Sequence, residues 1–278
     1  MTDPLFIERA GHRTWLKWHR GRRRASDPAF SGTRITEAMR LGASVEVDLV
    51  IHADHGFAIL HNLTLEEETT GTGRVRDTDG RTLRQLQLRG NDGAPIAERV
   101  MLLEDLCALL AEQKPHPEAL LQLDFKEDLA ALSPEIVHNF AVTVSPVARS
   151  IILSGADPSA NRLLTQSAPL ARIGYDPCYG PSLDRLHQTG DYQAFISDAL
   201  APAPDAAFIY LAHEIVLAAQ DSGFDIVAPI HAAGRKVDAW TIRTVDGTTL
   251  PQVERLLALK VDQITTDDPE GLHRALVA

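Results

Sequence analysis

The sequence predicts an α/β fold, specifically a (β/α)8 or TIM barrel. Strand-like and helix-like apolar segments alternate along nearly the whole chain, and their count suits eight units. No Gly-rich turn follows the first strand, as a doubly wound nucleotide-binding sheet would require. The 278 residues suffice for one large barrel. Without a Pro/Gly/Ser-rich linker or a shift in composition, one domain over residues 1–278 is expected.

Taken in order, Thr14 to His19 reads as the first strand, running into the basic cluster Arg20, Arg22, Arg23 and Arg24. Ile35 to Leu41 reads as a short helix stopped by Gly42. Ser44 to Val50 is the second strand, with Val45, Val47 and Leu49 on one face and Ser44, Glu46 and Asp48 on the other. The turn His52–Gly56 returns the chain through Phe57–Leu60 to His61. Residues 62–97 are polar, rich in Gly and Thr and without strong period, and read as an excursion at the mouth of the fold. An amphipathic helix is expected from Arg99 to Leu110, followed by a strand at Leu120–Phe125. Further strands are expected at 150–153, 171–175, 207–211, 237–242 and 263–265. Helices are expected between them at 159–166, 192–199, 214–221, 224–233 and 250–259, and a last one closes the chain.

A net charge of −11 argues against non-specific nucleic-acid binding, which needs a basic surface. An anionic substrate would have to be drawn by a local positive patch or a bound cation. No apolar run approaches a membrane span, so no stable membrane insertion is expected, and residues 1–10 lack a signal pattern. A cytoplasmic location is the expectation. Cys107 and Cys178 have no metal-ligand spacing and define no disulfide framework.

In such a barrel the active site lies at the C-terminal strand ends. The polar residues there are His19-Arg20, Glu46/Asp48, His61, Asp124/Lys126, Trp240 and Asp267/Asp268. Glu46 and Asp48 on the inward side of an apolar strand need a cation, either an Arg or Lys in a structural ion pair or a metal. With Asp124 they offer hard oxygen ligands suited to Mg²⁺ or Ca²⁺. Arg20 and Lys126 can hold phosphate oxygens, and His19 and His61 can give or take a proton near neutral pH. Together these groups suit the cleavage of a phosphodiester.

At these positions the chain resembles the glycerophosphodiester phosphodiesterases. The matching motifs are His19-Arg20-Gly21, Gly42-Ala43 with Glu46-Val47-Asp48, and His61-Asn62-Leu63-Thr64-Leu65. They continue with Thr69-Thr70-Gly71-Thr72-Gly73, Asp124-Phe125-Lys126, Trp240-Thr241, and Val261-Asp262 through Thr266-Asp267-Asp268-Pro269. The resemblance implies a TIM barrel with a small insertion after the second strand. It implies a divalent ion on Glu46, Asp48 and Asp124, phosphate contacts from Arg20 and Lys126, and acid–base chemistry from His19 and His61. Trp240 would form a pocket wall. The implied reaction releases an alcohol from a glycerophosphodiester, or from a related small or lipid-derived phosphodiester, and leaves glycerol phosphate. Related lysophospholipase D activity or a cyclic phosphate product would use the same site.

Four positions depart from the family pattern. Phe30-Ser31-Gly32-Thr33 stands where Pro-Glu-Asn-Thr is usual, and Asn62 follows the second histidine in place of an acid. Asp124 shortens a Glu ligand, and Lys260 replaces the glycine before Val261-Asp262. They put full activity in question and leave open a barrel that binds the phosphodiester or glycerol phosphate without turning it over.

Overall fold

The computed structural model describes residues 3–277. Its strands are β1 (Phe6–Arg9), β2 (His12–Trp18), β3 (Ser44–Ile51), β4 (Phe57–Ile59), β5 (Gln87–Arg89) and β6 (Pro95–Arg99). They continue with β7 (Leu120–Phe125), β8 (Ile151–Gly155), β9 (Arg172–Tyr175), β10 (Phe208–Ala212), β11 (Lys236–Ile242) and β12 (Gln263–Thr266). Eight of these run parallel in the circular order β2, β3, β7, β8, β9, β10, β11, β12, and β12 pairs back onto β2. The expected barrel is thus closed. Strand β1 adds antiparallel to β2, and β4 adds antiparallel to β3.

The alternation in β3 explains how the barrel places chemistry. All eight of its residues are buried, and the odd-numbered apolar side chains Val45, Val47 and Leu49 belong to the core under the helices. Glu46 and Asp48 therefore face the interior, where register sets Glu46 beside Gln122 and Asp48 beside Asp124.

Barrel interiors are commonly filled by branched apolar side chains; this one keeps only a small apolar cluster of Leu120, Ile152, Phe208 and Tyr210 and is otherwise polar. Lys17 is 1% exposed, and its Nζ lies 2.9 Å from Asp238 Oδ2 and 4.5 Å from the Tyr210 ring centre. It also donates to Gln122 Oε1, while Thr265 Oγ1 donates to Asp238 Oδ1 at 2.7 Å. A buried charge needs such partners, and this network forms the floor beneath the strand ends.

The excursion after Asn62 has structure of its own. It carries the antiparallel pair β5–β6 and a short helix at Gly80–Leu83. Ser31 Oγ donates to Glu98 Oε1 at 2.7 Å, tying it to the start of the helix Gly32–Leu41. The following helix spans Leu103–Gln113, later than expected, because Arg99 ends β6 and the Asp105 carboxylate accepts the Leu102 N–H at the helix start. None of the helices is long and apolar enough to cross a membrane among the described residues.

Candidate active site

Past β2 the chain makes a tight turn at His19-Arg20-Gly21. Arg20 has φ +53° and Gly21 φ +72°. A Cβ on Gly21 would stand 2.7 Å from Ile35 Cγ1, so glycine is required there by both backbone and space. The turn points the Arg20 N–H at Glu46 Oε2, 2.9 Å away. Left-handed backbone at a non-glycine residue is costly and is held only where its surroundings define it. Here it lays His19 and Arg20 over the end of β3.

Glu46, Asp48 and Asp124 each offer an oxygen lying within 4.8 Å of the other two. Lys126 Nζ is 2.6 Å from Asp48 Oδ1 and 2.5 Å from Asp124 Oδ2, and Arg20 Nε is 3.2 Å from Asp48 Oδ2. Ser154 Oγ donates to Asp124 Oδ1 at 2.5 Å, and Gln122 Nε2 donates to Ser154 Oγ at 2.7 Å. Burial, aided by Glu46, pushes Asp48 up to about 7 against the pull of Lys126 and Arg20. Burial also acts on Asp124, but Lys126 and Ser154 outweigh it and hold this carboxyl below its usual range. Asp48 Oδ2 is buried without a hydrogen bond. Three converging acids, one of them with an oxygen that meets Arg20 at ion-pair distance but without a hydrogen bond, form an oxygen donor set that fits a hard cation.

Two imidazoles line the same pocket. His19 Nδ1 is 2.6 Å from Asp267 Oδ1, and Arg22 Nη1 reaches that same oxygen at 3.1 Å. Burial lowers the His19 pKa by more than Asp267 raises it, so the ring is neutral at pH 7. Its Nδ1–H then donates to Asp267 and leaves Nε2 unprotonated, 3.9 Å from Glu46 Oε2. His61 Nδ1 lies 2.9 Å from Asn62 Oδ1, while the Glu68 carboxylate accepts the backbone N–H groups of His61 (3.0 Å) and Asn62 (2.8 Å).

All eight residues singled out in the sequence, His19, Arg20, Glu46, Asp48, His61, Asp124, Lys126 and Trp240, line this pocket. The Trp240 ring stacks on Tyr179 with centroids 6.3 Å apart. Sequence reasoning missed Tyr179, Asp176, Arg243 and Lys17 on its walls, and it placed Asp267 at a strand end without the partner that the structure gives it, His19. Asp176 ends up beside the site with its Oδ1 accepting the Cys178 N–H at 2.8 Å, and burial pushes it up to about 8. None of the four wall residues has a motif around it, whereas Asp267 lies in the closing Thr-Asp-Asp-Pro motif.

The arginines after Gly21 do not form a free basic patch. Arg22 holds Asp267, Arg23 bridges Glu37 and Glu270, and Arg24 pairs with Glu270. His52 and His55 also lie elsewhere. His52 Nδ1 accepts the Asp54 N–H, and His55 pairs with Glu135.

Comparison with known proteins gives this geometry a context. The chain is 24% identical over 239 residues to a glycerophosphodiester phosphodiesterase of Caldanaerobacter subterraneus subsp. tengcongensis, covering 84% of this chain and 86% of that protein. Its fold is similar to that of a glycerophosphoryl diester phosphodiesterase from Parabacteroides distasonis, with a TM-score of 0.68 at 18% identity, over 98% of this chain and 89% of that one. It is also similar to an Oleispira antarctica phosphodiesterase solved with the product sn-glycerol-3-phosphate, with a TM-score of 0.65 at 19% identity over 95% and 96%. The glycerophosphoryl diester phosphodiesterase family pattern matches residues 28–271, a span that starts after His19-Arg20-Gly21. With most of its length matched, the chain belongs to the glycerophosphoryl diester phosphodiesterase family and is a phosphoric diester hydrolase.

Proposed function

We propose that the protein hydrolyses a glycerophosphodiester, or a related small or lipid-derived diester, to an alcohol and glycerol phosphate, with Mg²⁺ or Ca²⁺ as cofactor. The observation that carries this reading is the convergence of two imidazoles, three carboxylates and two cations on one pocket. The pocket has a volume of about 130 Å³ and opens to solvent at the strand ends.

In this reading Glu46, Asp48 and Asp124 hold the divalent ion, which when bound offsets the phosphate charge as a Lewis acid. Arg20 and Lys126 meet the non-bridging phosphate oxygens, and Trp240, stacked on Tyr179, walls the substrate side. One imidazole takes the proton of the attacking water as its oxygen bonds to phosphorus. The other protonates the departing alcohol oxygen as its bond to phosphorus breaks. The glycerol phosphate product bound to the Oleispira protein supports the substrate class.

The test is turnover of a panel from glycerophosphocholine to lysophospholipids, with Mg²⁺, Ca²⁺ or chelator, followed by phosphorus NMR. Chelator-sensitive release of glycerol phosphate is the expected result, and a cyclic phosphate peak would show attack by a substrate hydroxyl instead. Silence across the panel with every metal would overturn the proposal.

A further inference from the structure

Position 62 is where this chain places an amide beside the second histidine. An amide can turn either its oxygen or its NH₂ toward an imidazole, and the two orientations demand opposite tautomers. The far side of Asn62 removes the ambiguity. Its Nδ2 lies 2.7 Å from Glu67 Oε2, and an exposed carboxylate accepts. The NH₂ therefore faces Glu67, and Oδ1 faces His61 Nδ1 at 2.9 Å. Because a carbonyl oxygen only accepts, Nδ1 must carry the ring proton, and Nε2 offers its lone pair.

We infer that Glu67 is a positioning residue, which acts through Asn62 to fix the tautomer of His61. The main chain beside it is held separately, since Glu68 accepts both the His61 and Asn62 N–H groups. Two neighbouring carboxylates thus divide the work: Glu68 holds the backbone and Glu67 the amide. His19 has its carboxylate in direct contact, whereas His61 has one at second remove through a neutral relay. The inference rests on the catalytic role of His61 proposed above.

The experiment combines ¹⁵N NMR of the histidine rings, with His61 assigned by its loss in His61→Ala, and steady-state kinetics. In the wild-type protein the neutral His61 ring is expected to be protonated at Nδ1. Glu67→Lys can only donate, turns the amide and moves the proton to Nε2. Glu67→Ala lowers kcat about tenfold, the rate equivalent of one orienting hydrogen bond, with little change in KM. The loss shrinks in an Asn62→Asp background, because a carboxylate presents an acceptor whichever way it turns. A wild-type ring protonated at Nε2, a tautomer indifferent to Glu67→Lys, or equal losses in both backgrounds would overturn the inference. A wild-type protein without turnover would remove the function proposed for the site, while the NMR measurement would still decide the relay.

Discussion

His19 Nδ1 and Asp267 Oδ1 lie 2.6 Å apart although 248 residues separate them in sequence, because β12 closes the barrel against β2. Burial pushes the Asp267 carboxyl up, but His19 and Arg22 outweigh it and keep it ionised. Asp267→Asn would let the ring adopt either tautomer. It is expected to cut kcat by about 10²–10⁴-fold, the scale of a mis-set imidazole, with KM little changed. Steady-state kinetics on the purified variant checks this, and a loss confined to KM would contradict it.

Acid and base can be told apart by the leaving group. An alcohol needs a proton to depart, whereas a nitrophenolate does not. On a nitrophenyl phosphodiester, the variant lacking the general acid is expected to recover most of its rate, and the variant lacking the base is not. Comparing His19→Ala and His61→Ala on both substrates assigns the roles. Equal deficits on the two substrates would mean that neither ring protonates the leaving group.

Asp48 gives the metal-free protein a pH signature. Its carboxyl titrates at about 7 in the fold, against 3.8 for an unperturbed aspartate. A raised pKa means that the native state binds the proton more tightly than the unfolded chain. The associated stability is complete below about pH 4 and is lost as pH rises through 7. The difference of roughly three units corresponds to a few kcal/mol at most, less whatever relaxation offsets. In chelator, Tm is expected to fall between pH 5 and pH 8, and Asp48→Asn is expected to flatten that slope. Added Mg²⁺ or Ca²⁺ should stabilise more at pH 8 than at pH 5, since it binds the ionised carboxyl. Calorimetry across that range, with and without metal, tests both points.

Much of the site was legible because period-two strands declare which side chains face inward. Glu46-Val47-Asp48 and Asp124-Phe125-Lys126 carry that pattern openly. What stayed hidden depends on partners far away in sequence. Lys17 interrupts an apolar strand, and nothing near it in sequence shows its partner, Asp238, which lies on another strand. Asp176 and Arg243 are single polar residues at strand ends with no motif around them. Asn62 read as the loss of an acid, and only the folded insertion brings Glu67 behind it. The helix Gly180–Thr189 was missed because it opens on Gly-Pro, a turn signal, and its residues are mostly polar. Strand β1 is four residues long and only one of them is fully buried, too short to stand out from a terminal loop.

Lys260, which stands where the family pattern has glycine, adopts φ +62°. That conformation costs a residue with a Cβ about 1–2 kcal/mol, while glycine carries about 0.5–1 kcal/mol of extra chain entropy. Lys260→Gly is therefore expected to stabilise the fold by a net of about 0.5–1 kcal/mol without altering kcat. Urea unfolding of the two proteins measures the difference, and a destabilised variant would mean that the lysine side chain is held by another favourable contact.

Arg243 is exposed at the pocket rim and, among the described residues, makes no ion pair. Its neighbours in charge are already engaged: Arg20 and Lys126 share Asp48, and Lys17 is matched by Asp238. On a chain of net charge −11, a phosphodiester approaching the mouth needs an uncommitted cation. Arg243→Ala is expected to raise KM about tenfold and to leave kcat within a few-fold, the pattern of lost binding that is shared by ground and transition states. The rise should shrink with added salt, because an exposed charge is screened over about a Debye length. Arg243→Glu should raise KM further. A variant whose KM equals the wild-type value at low salt would mean that the substrate enters without meeting this arginine, leaving its capture to Arg20 and Lys126.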